Sequence, residues 1–204
     1  MVEQSQWYKC LEQIVASPVL HHRWLSTLGQ LEYVGAAKIA AFLPQWSPEV
    51  EHLQHAAEEF RHAFFFMSRA RELGVSQSLP QRRYHYLRRY LHLLDAGVTR
   101  AVKAAWMRGE VHESVWKSQC YLWVTKLVEV RAVQLYQIYH QVLKARGLFS
   151  LQWLIREEAS HLREIDRELE RLGGGAEFYR YLQDMEGSLF LSFEKDVFSW
   201  VQAA

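Results

Sequence analysis

Four prolines and ten glycines in 204 residues leave this chain poor in the residues that break helices and shape tight turns. A protein of many short strands is thereby excluded, because it would need a turn signal about every 8–12 residues. Cysteine is scarcer still. Cys10 and Cys120 are too few and too far apart for a disulfide framework or a zinc knuckle, and they suit a reducing compartment. Excess charge is also lacking: the net value is +1 with histidine neutral, so the chain has no general basicity to draw it to nucleic acid, although a local basic patch is still compatible. No apolar run approaches membrane-spanning length, since Ala63-Phe64-Phe65-Phe66-Met67 is closed off by His62 and Ser68. Met1 to Cys10 is polar and has no apolar centre like that of a secretory leader, so a cytoplasmic location is expected.

Half of the residues are apolar, and they recur at intervals of three and four. That periodicity predicts an all-α chain, read as one domain over residues 1–204 with enough apolar surface for a substantial core. Ligand-bearing helices are expected at about 19–43, 48–73, 114–145 and 149–172, with a terminal helix at 177–200. Pro44 stops the first, Ser47-Pro48 starts the second, and Gly74, Gly147 and Gly173-Gly174-Gly175 stand just past helix ends. A long connection between Val75 and Val111 is predicted to hold a crossover helix at about 81–108, with Gly97 as a kink and Gly109 as its stop. At about 1.5 Å per residue it is long enough to return the chain along its neighbours.

Two Glu-x-x-His steps, Glu59 to His62 and Glu158 to His161, each follow a lone mid-helix glutamate, Glu32 and Glu129, by 27 and 29 residues. The tetrapeptide alone has little weight: with 19 glutamates and ten histidines, about one copy is expected by chance. Glu49-x-x-His52 is such a copy, and Glu49 reads as a helix-start residue favoured by the dipole. The doubled hairpin is the specific signal. Residues three apart share a helix face, so each Glu/His pair converges on one point. Glu32 lies in a seam with Leu25, Leu28, Ala36, Ile39 and Leu43, and Glu158 with Leu151, Leu154, Leu162, Ile165 and Leu169. Glu129 shares its face with Leu122, Thr125, Val133 and Tyr136, and Glu59 with His52, His55, His62, Ala63 and Phe66. Each buried carboxylate costs several kcal/mol unless neutralised, by about the same order as a lost ion pair. Two divalent ions would neutralise four. Oxygen donors with one imidazole per ion suit iron or manganese better than zinc.

This set on four helices resembles the ferritin-like di-iron carboxylate superfamily over about residues 20–172. The resemblance implies a ferritin-like four-helix bundle with a long helical crossover and an added C-terminal helix. It makes Glu32 and Glu129 terminal ligands, Glu59 and Glu158 bridging carboxylates, and His62 and His161 the imidazoles. The cofactor implied is two iron ions, or manganese, or a mixed pair. The activity implied is oxidation or hydroxylation of an organic substrate by dioxygen, with an external electron donor. That substrate is either a small molecule or one borne by a carrier or an RNA, and a homodimer is compatible with it. No rubredoxin-like cysteine module is present, which disfavours a peroxidase with a built-in donor. The alternatives are a ferroxidase or iron-handling protein, and a metal-stabilised helical binding protein without catalysis.

Around the ligands, Thr125, Tyr136 and His55 stand as candidates for supporting roles, each with an ordinary packing role as the alternative. The crossover places Arg82, His85, Arg88, Arg89 and His92 on one side of a helix and Tyr84, Leu87, Leu91 and Leu94 on the other. This is either a solvated face or a surface for an anionic partner. A looser resemblance, to the tRNA hydroxylases that act on isopentenylated adenosine, rests on the crossover and on Glu129-Val130-Arg131, of the form Glu-x-Arg. It implies a tRNA-modifying hydroxylase as a further alternative.

Overall fold

The computed structural model describes residues 4–42, 50–75, 85–110, 112, 115–173 and 175–203. Among these the chain is all-α, without a strand. The helices are α1 (Gln4–Ala16), α2 (Pro18–Phe42), α3 (Val50–Glu72), α4 (His85–Met107), α5 (Trp116–Ala145), α6 (Gln152–Arg171) and α7 (Ala176–Gln202). No helix among the described residues is long and apolar enough to cross a membrane. The expected starts and stops at Leu43, Pro44, Ser47-Pro48-Glu49, Arg82-Arg83-Tyr84, Ser114 and Gly174 lie outside the described residues. Gly74, Gly109, Gly147 and Gly173 all take positive φ just past helix ends, as expected for a left-handed stop.

One helix lies where none was expected, and two expectations are corrected. The polar segment before residue 17 forms α1, which buries Trp7, Cys10, Leu11, Ile14 and Val15. That spacing of three and four is the periodicity of an amphipathic helix, diluted by the glutamines and charges on its other face. Next, α6 begins at Gln152 rather than at residue 149. Phe149 is drawn into an aromatic cluster instead, edge-on to Phe65 at 5.5 Å and stacked on His21 at 6.4 Å. Finally, Gly97 lies within the continuous α4, and a Cβ there would stand 2.7 Å from Met185 Sδ of α7. Its role is close approach of two helices rather than a kink.

The chain divides into two compact units. One, here the N-terminal unit, comprises Glu3–Tyr84, Ile138–Ser150 and Ser199–Ala204. In it α1 packs on α2 through Trp7 and Trp24, ring centroids 5.9 Å apart. Ser17 Oγ accepts a bond from Leu20 N at 3.4 Å, and Pro18 opens α2, where a missing N–H costs nothing. His21 Nε2 lies 2.6 Å from the Tyr139 hydroxyl. Burial lowers the His21 pKa to about 4 and raises that of Tyr139 well above its ordinary value. Both groups are therefore neutral, and the tautomer of His21 sets which of the two donates.

The C-terminal unit comprises His85–Gln137 and Leu151–Phe198, with Met1–Val2. The buried side of α4 carries Leu87, Tyr90, Leu94, Val98, Val102 and Ala105, while Arg88, Arg89 and His92 are exposed. The two-sided helix expected here is thus present over its described part. Glu186 of α7 is buried and accepts a bond from the Tyr90 hydroxyl at 2.7 Å and a two-pronged pair from Arg131 of α5, Nε at 3.0 Å and Nη2 closer. Arg131 also lies 4.1 Å over the Phe190 ring. A planar guanidinium matched to a carboxylate is the strong form of ion pair, and here it ties α4, α5 and α7 together.

Removing one member of such a buried pair strands the other charge. Glu186→Ala is expected to lower unfolding free energy in urea by about 3–5 kcal/mol, while Glu186→Leu combined with Arg131→Met recovers much of it. A different dependence is set by His21. The unfolded chain takes up its proton near pH 6.5 and the folded one only near pH 4, so stability is full above about 6.5, declines toward 4 and is flat below. His21→Gln should flatten the slope of urea midpoint against pH between 6.5 and 5, and an unchanged slope would assign it to other groups.

Candidate metal centre

In the N-terminal unit the small residues of α2 set the geometry. A Cβ at Gly29 would lie 2.9 Å from Met67 Cγ and 3.2 Å from the Ala63 carbonyl oxygen, so α2 and α3 approach closely at this level. Glu32 is three residues beyond Gly29, and His62 is the neighbour of Ala63. The approach therefore brings their side chains together: His62 Nδ1 lies 4.0 Å from Glu32 Oε2 and 4.0 Å from Glu59 Oε2. Donor atoms of Glu32, Glu59 and His62 all fall within 4.8 Å of one another. Gly35 faces the same carboxylate, with Glu59 Oε2 3.7 Å from where a Cβ would stand. His62 is fully buried, and Glu32 and Glu59 nearly so.

The C-terminal unit repeats the cluster with other supports. On α6 His161 Nδ1 lies 3.4 Å from Glu158 Oε2, and α5 brings Glu129 Oε1 to 3.9 Å from the same nitrogen. All three side chains are buried. The two helices are tied by polar contacts: Lys126 Nζ meets Asp166 Oδ1 at 2.5 Å, and the Gln119 amide donates to the Leu172 carbonyl at 2.7 Å. Both contacts lie on one side of the cluster, before Glu129 on α5 and after His161 on α6, and hold the register of α5 on α6.

Each cluster thus has two carboxylates turned to the Nδ1 of one imidazole, and all six residues expected from the sequence fall into one cluster or the other. The seams are also as expected. Leu25, Leu28, Ala36 and Ile39 are buried with Glu32, His55, Ala63 and Phe66 with Glu59, Leu122 and Tyr136 with Glu129, and Leu151, Leu154, Ile165 and Leu169 with Glu158; His52, Thr125, Val133 and Leu162 are half-buried. Leu43 lies outside the described residues.

The donor set fits a divalent ion. Donor separations of 3.4–4.0 Å lie below the roughly 4.2 Å that two ligands opposite each other on one ion would span at about 2.1 Å per bond. Carboxylate oxygens and imidazole nitrogens, without thiolate, are donors that a divalent ion accepts. Of the three supporting candidates, Thr125 donates its hydroxyl to the Tyr121 carbonyl at 2.9 Å, an ordinary helix back-bond. Tyr136 is buried on the Glu129 face. His55 Nε2 lies 3.3 Å from Glu59 Oε1.

Sequence reading passed over Glu186, although the signal was there: it stands on a four-residue stripe between Leu182 and Phe190, as Glu32 does between Leu28 and Ala36. Its partner is the Arg131 of the Glu-x-Arg step, which therefore has a packing role.

Neutralising one carboxylate in a buried pair relieves like-charge repulsion. Without metal, Glu158→Gln should be more stable than the native chain by about 1–2 kcal/mol, and added ferrous or cobaltous ion should raise the melting temperature of the native chain more than that of the variant. Equal melting shifts in both would remove Glu158 from the ligands. No protein family, curated protein or solved structure was found to match the chain, so the chemistry of the clusters is read from their own donor atoms.

Proposed function

We propose that Glu32, Glu59, His62, Glu129, Glu158 and His161 hold two metal ions, iron before manganese or a mixed pair, and that the protein is a ferritin-like di-iron oxidoreductase. The observation that carries this reading is the repetition: one chain builds twice, on different helices, a buried group of two glutamates facing the Nδ1 of one histidine. Four carboxylates balance the charge of two divalent ions, and the imidazoles stay neutral donors.

Iron so held supplies dioxygen activation, in which a substrate R–H gains one oxygen atom, the second leaves as water, and an external donor provides two electrons alongside two protons. The residues of the chain hold the donors in place and keep water away. Leu25, Leu28 and Phe66 surround one cluster in sequence, and Leu122, Leu154 and Ile165 the other, all buried. The substrate is an organic molecule, free or borne by a carrier or RNA. Exposed Arg88 and Arg89 give an anionic carrier a surface to meet, though Arg82 and its neighbours lie outside the described residues. Neither Cys10 nor Cys120 is in a disulfide, in keeping with work in a reducing cytoplasm.

Anaerobic reconstitution with ferrous ion should give close to two irons per chain, and air should then bring up a near-ultraviolet absorption of ferric iron with oxygen uptake. Glu129→Ala and His161→Ala should each lose at least one iron. Fewer than one iron per chain, unchanged by these substitutions, would overturn the reading. Accumulation of many irons in a large assembly would move it to iron storage.

A further inference from the structure

Glu59 and Glu158 occupy the same place in the two Glu-x-x-His steps, but four residues earlier the steps differ. His55 precedes Glu59, and Leu154 precedes Glu158. Both are buried, Leu154 completely. Residues four apart share a helix face, so each stands one turn below its glutamate.

The carboxylate of Glu59 has an imidazole at each oxygen: Oε1 is 3.3 Å from His55 Nε2, and Oε2 is 4.0 Å from His62 Nδ1. A carboxylate flanked in this way has a nitrogen donor beside each of its oxygens. We propose, resting on the two-metal reading above, that His55 is a seventh ligand, binding through Nε2 the ion that Glu59 holds at Oε1.

Two donors at about 2.1 Å from one ion and near a right angle stand about 3 Å apart, close to the 3.3 Å found here. A charge-assisted hydrogen bond between imidazolium and carboxylate would instead draw the atoms to about 2.7–2.9 Å. The side chain at this position also decides the symmetry of the pair. Leucine in the second step offers no donor, so the two halves of the repeat deliver unequal nitrogen: two imidazoles from α3 and one from α6. The ion at Oε1 then gains a nitrogen that the doubled motif does not provide.

Cobalt(II) serves as the probe, because imidazole N–H protons on a cobalt-bound histidine give strongly shifted proton resonances that vanish in D2O. The native chain loaded with two cobalt ions should show three such resonances. His55→Leu, which copies the other step, should show two, with one cobalt affinity lowered roughly 10–100-fold and the other kept. His55→Gln is the second variant should leucine perturb folding, with circular dichroism of the metal-free proteins as the control. Two resonances in the native chain at two cobalt ions, or three retained in His55→Gln, would show that His55 only orients Glu59 and would leave the two-metal reading standing. Failure to bind cobalt at all would overturn both.

Discussion

The constraint on which the rest of this structure depends is the cost of taking a carboxylate out of water. Among the described residues five glutamates are buried: Glu32, Glu59, Glu129, Glu158 and Glu186. The chain answers the cost in two ways. Glu186 is met by the guanidinium of Arg131 and the hydroxyl of Tyr90. The others are met by imidazole nitrogens. The difference is chemical. Guanidinium carries only donors and a permanent charge, so it closes the account of Glu186 and leaves nothing for a ligand. A neutral imidazole has a lone pair to give, and carboxylates gathered around it become a place for a cation.

The same cluster is reached by different packing in the two units. Small side chains carry it in the N-terminal unit, where Gly29 lets α2 come near the Ala63 carbonyl and so sets Glu32 against His62. Polar ties carry it in the C-terminal unit, where Lys126 with Asp166 and Gln119 with Leu172 hold α5 on α6. A repeat whose ligands agree while their supports differ places its constraint on the donor atoms. The two repeats disagree at His55 and Leu154, where one offers a nitrogen and the other only apolar surface.

Much of this was legible in one dimension because helices have a short, rigid period. Glu32 could be placed among Leu25, Leu28, Ala36 and Ile39 by counting, and the count is correct since backbone geometry alone decides which residues share a face. The helix stops at Gly74, Gly109, Gly147 and Gly173 were equally local, because left-handed φ is a property of the residue. Misreadings arose where a distant partner outweighed local preference. Phe149 is a competent helix residue, but the rings of Phe65, Tyr139 and His21 hold it outside α6. Gly97 resembles a helix flaw until Met185 is seen to need its space.

By itself, then, the sequence determined the helical class, the faces and the doubled set of four buried glutamates and two buried histidines, all of which follow from short-range periodicity. Tertiary structure alone decided which buried glutamate meets which base. Arg131 and His161 lie at almost equal sequence distance from Glu129 and Glu158 respectively, yet one pairs with Glu186 of α7 and the other gathers two carboxylates. Whether a buried acid becomes a tie between helices or a donor to a metal depends on the groups that other helices deliver to it, and those contacts span tens of residues that no local period records.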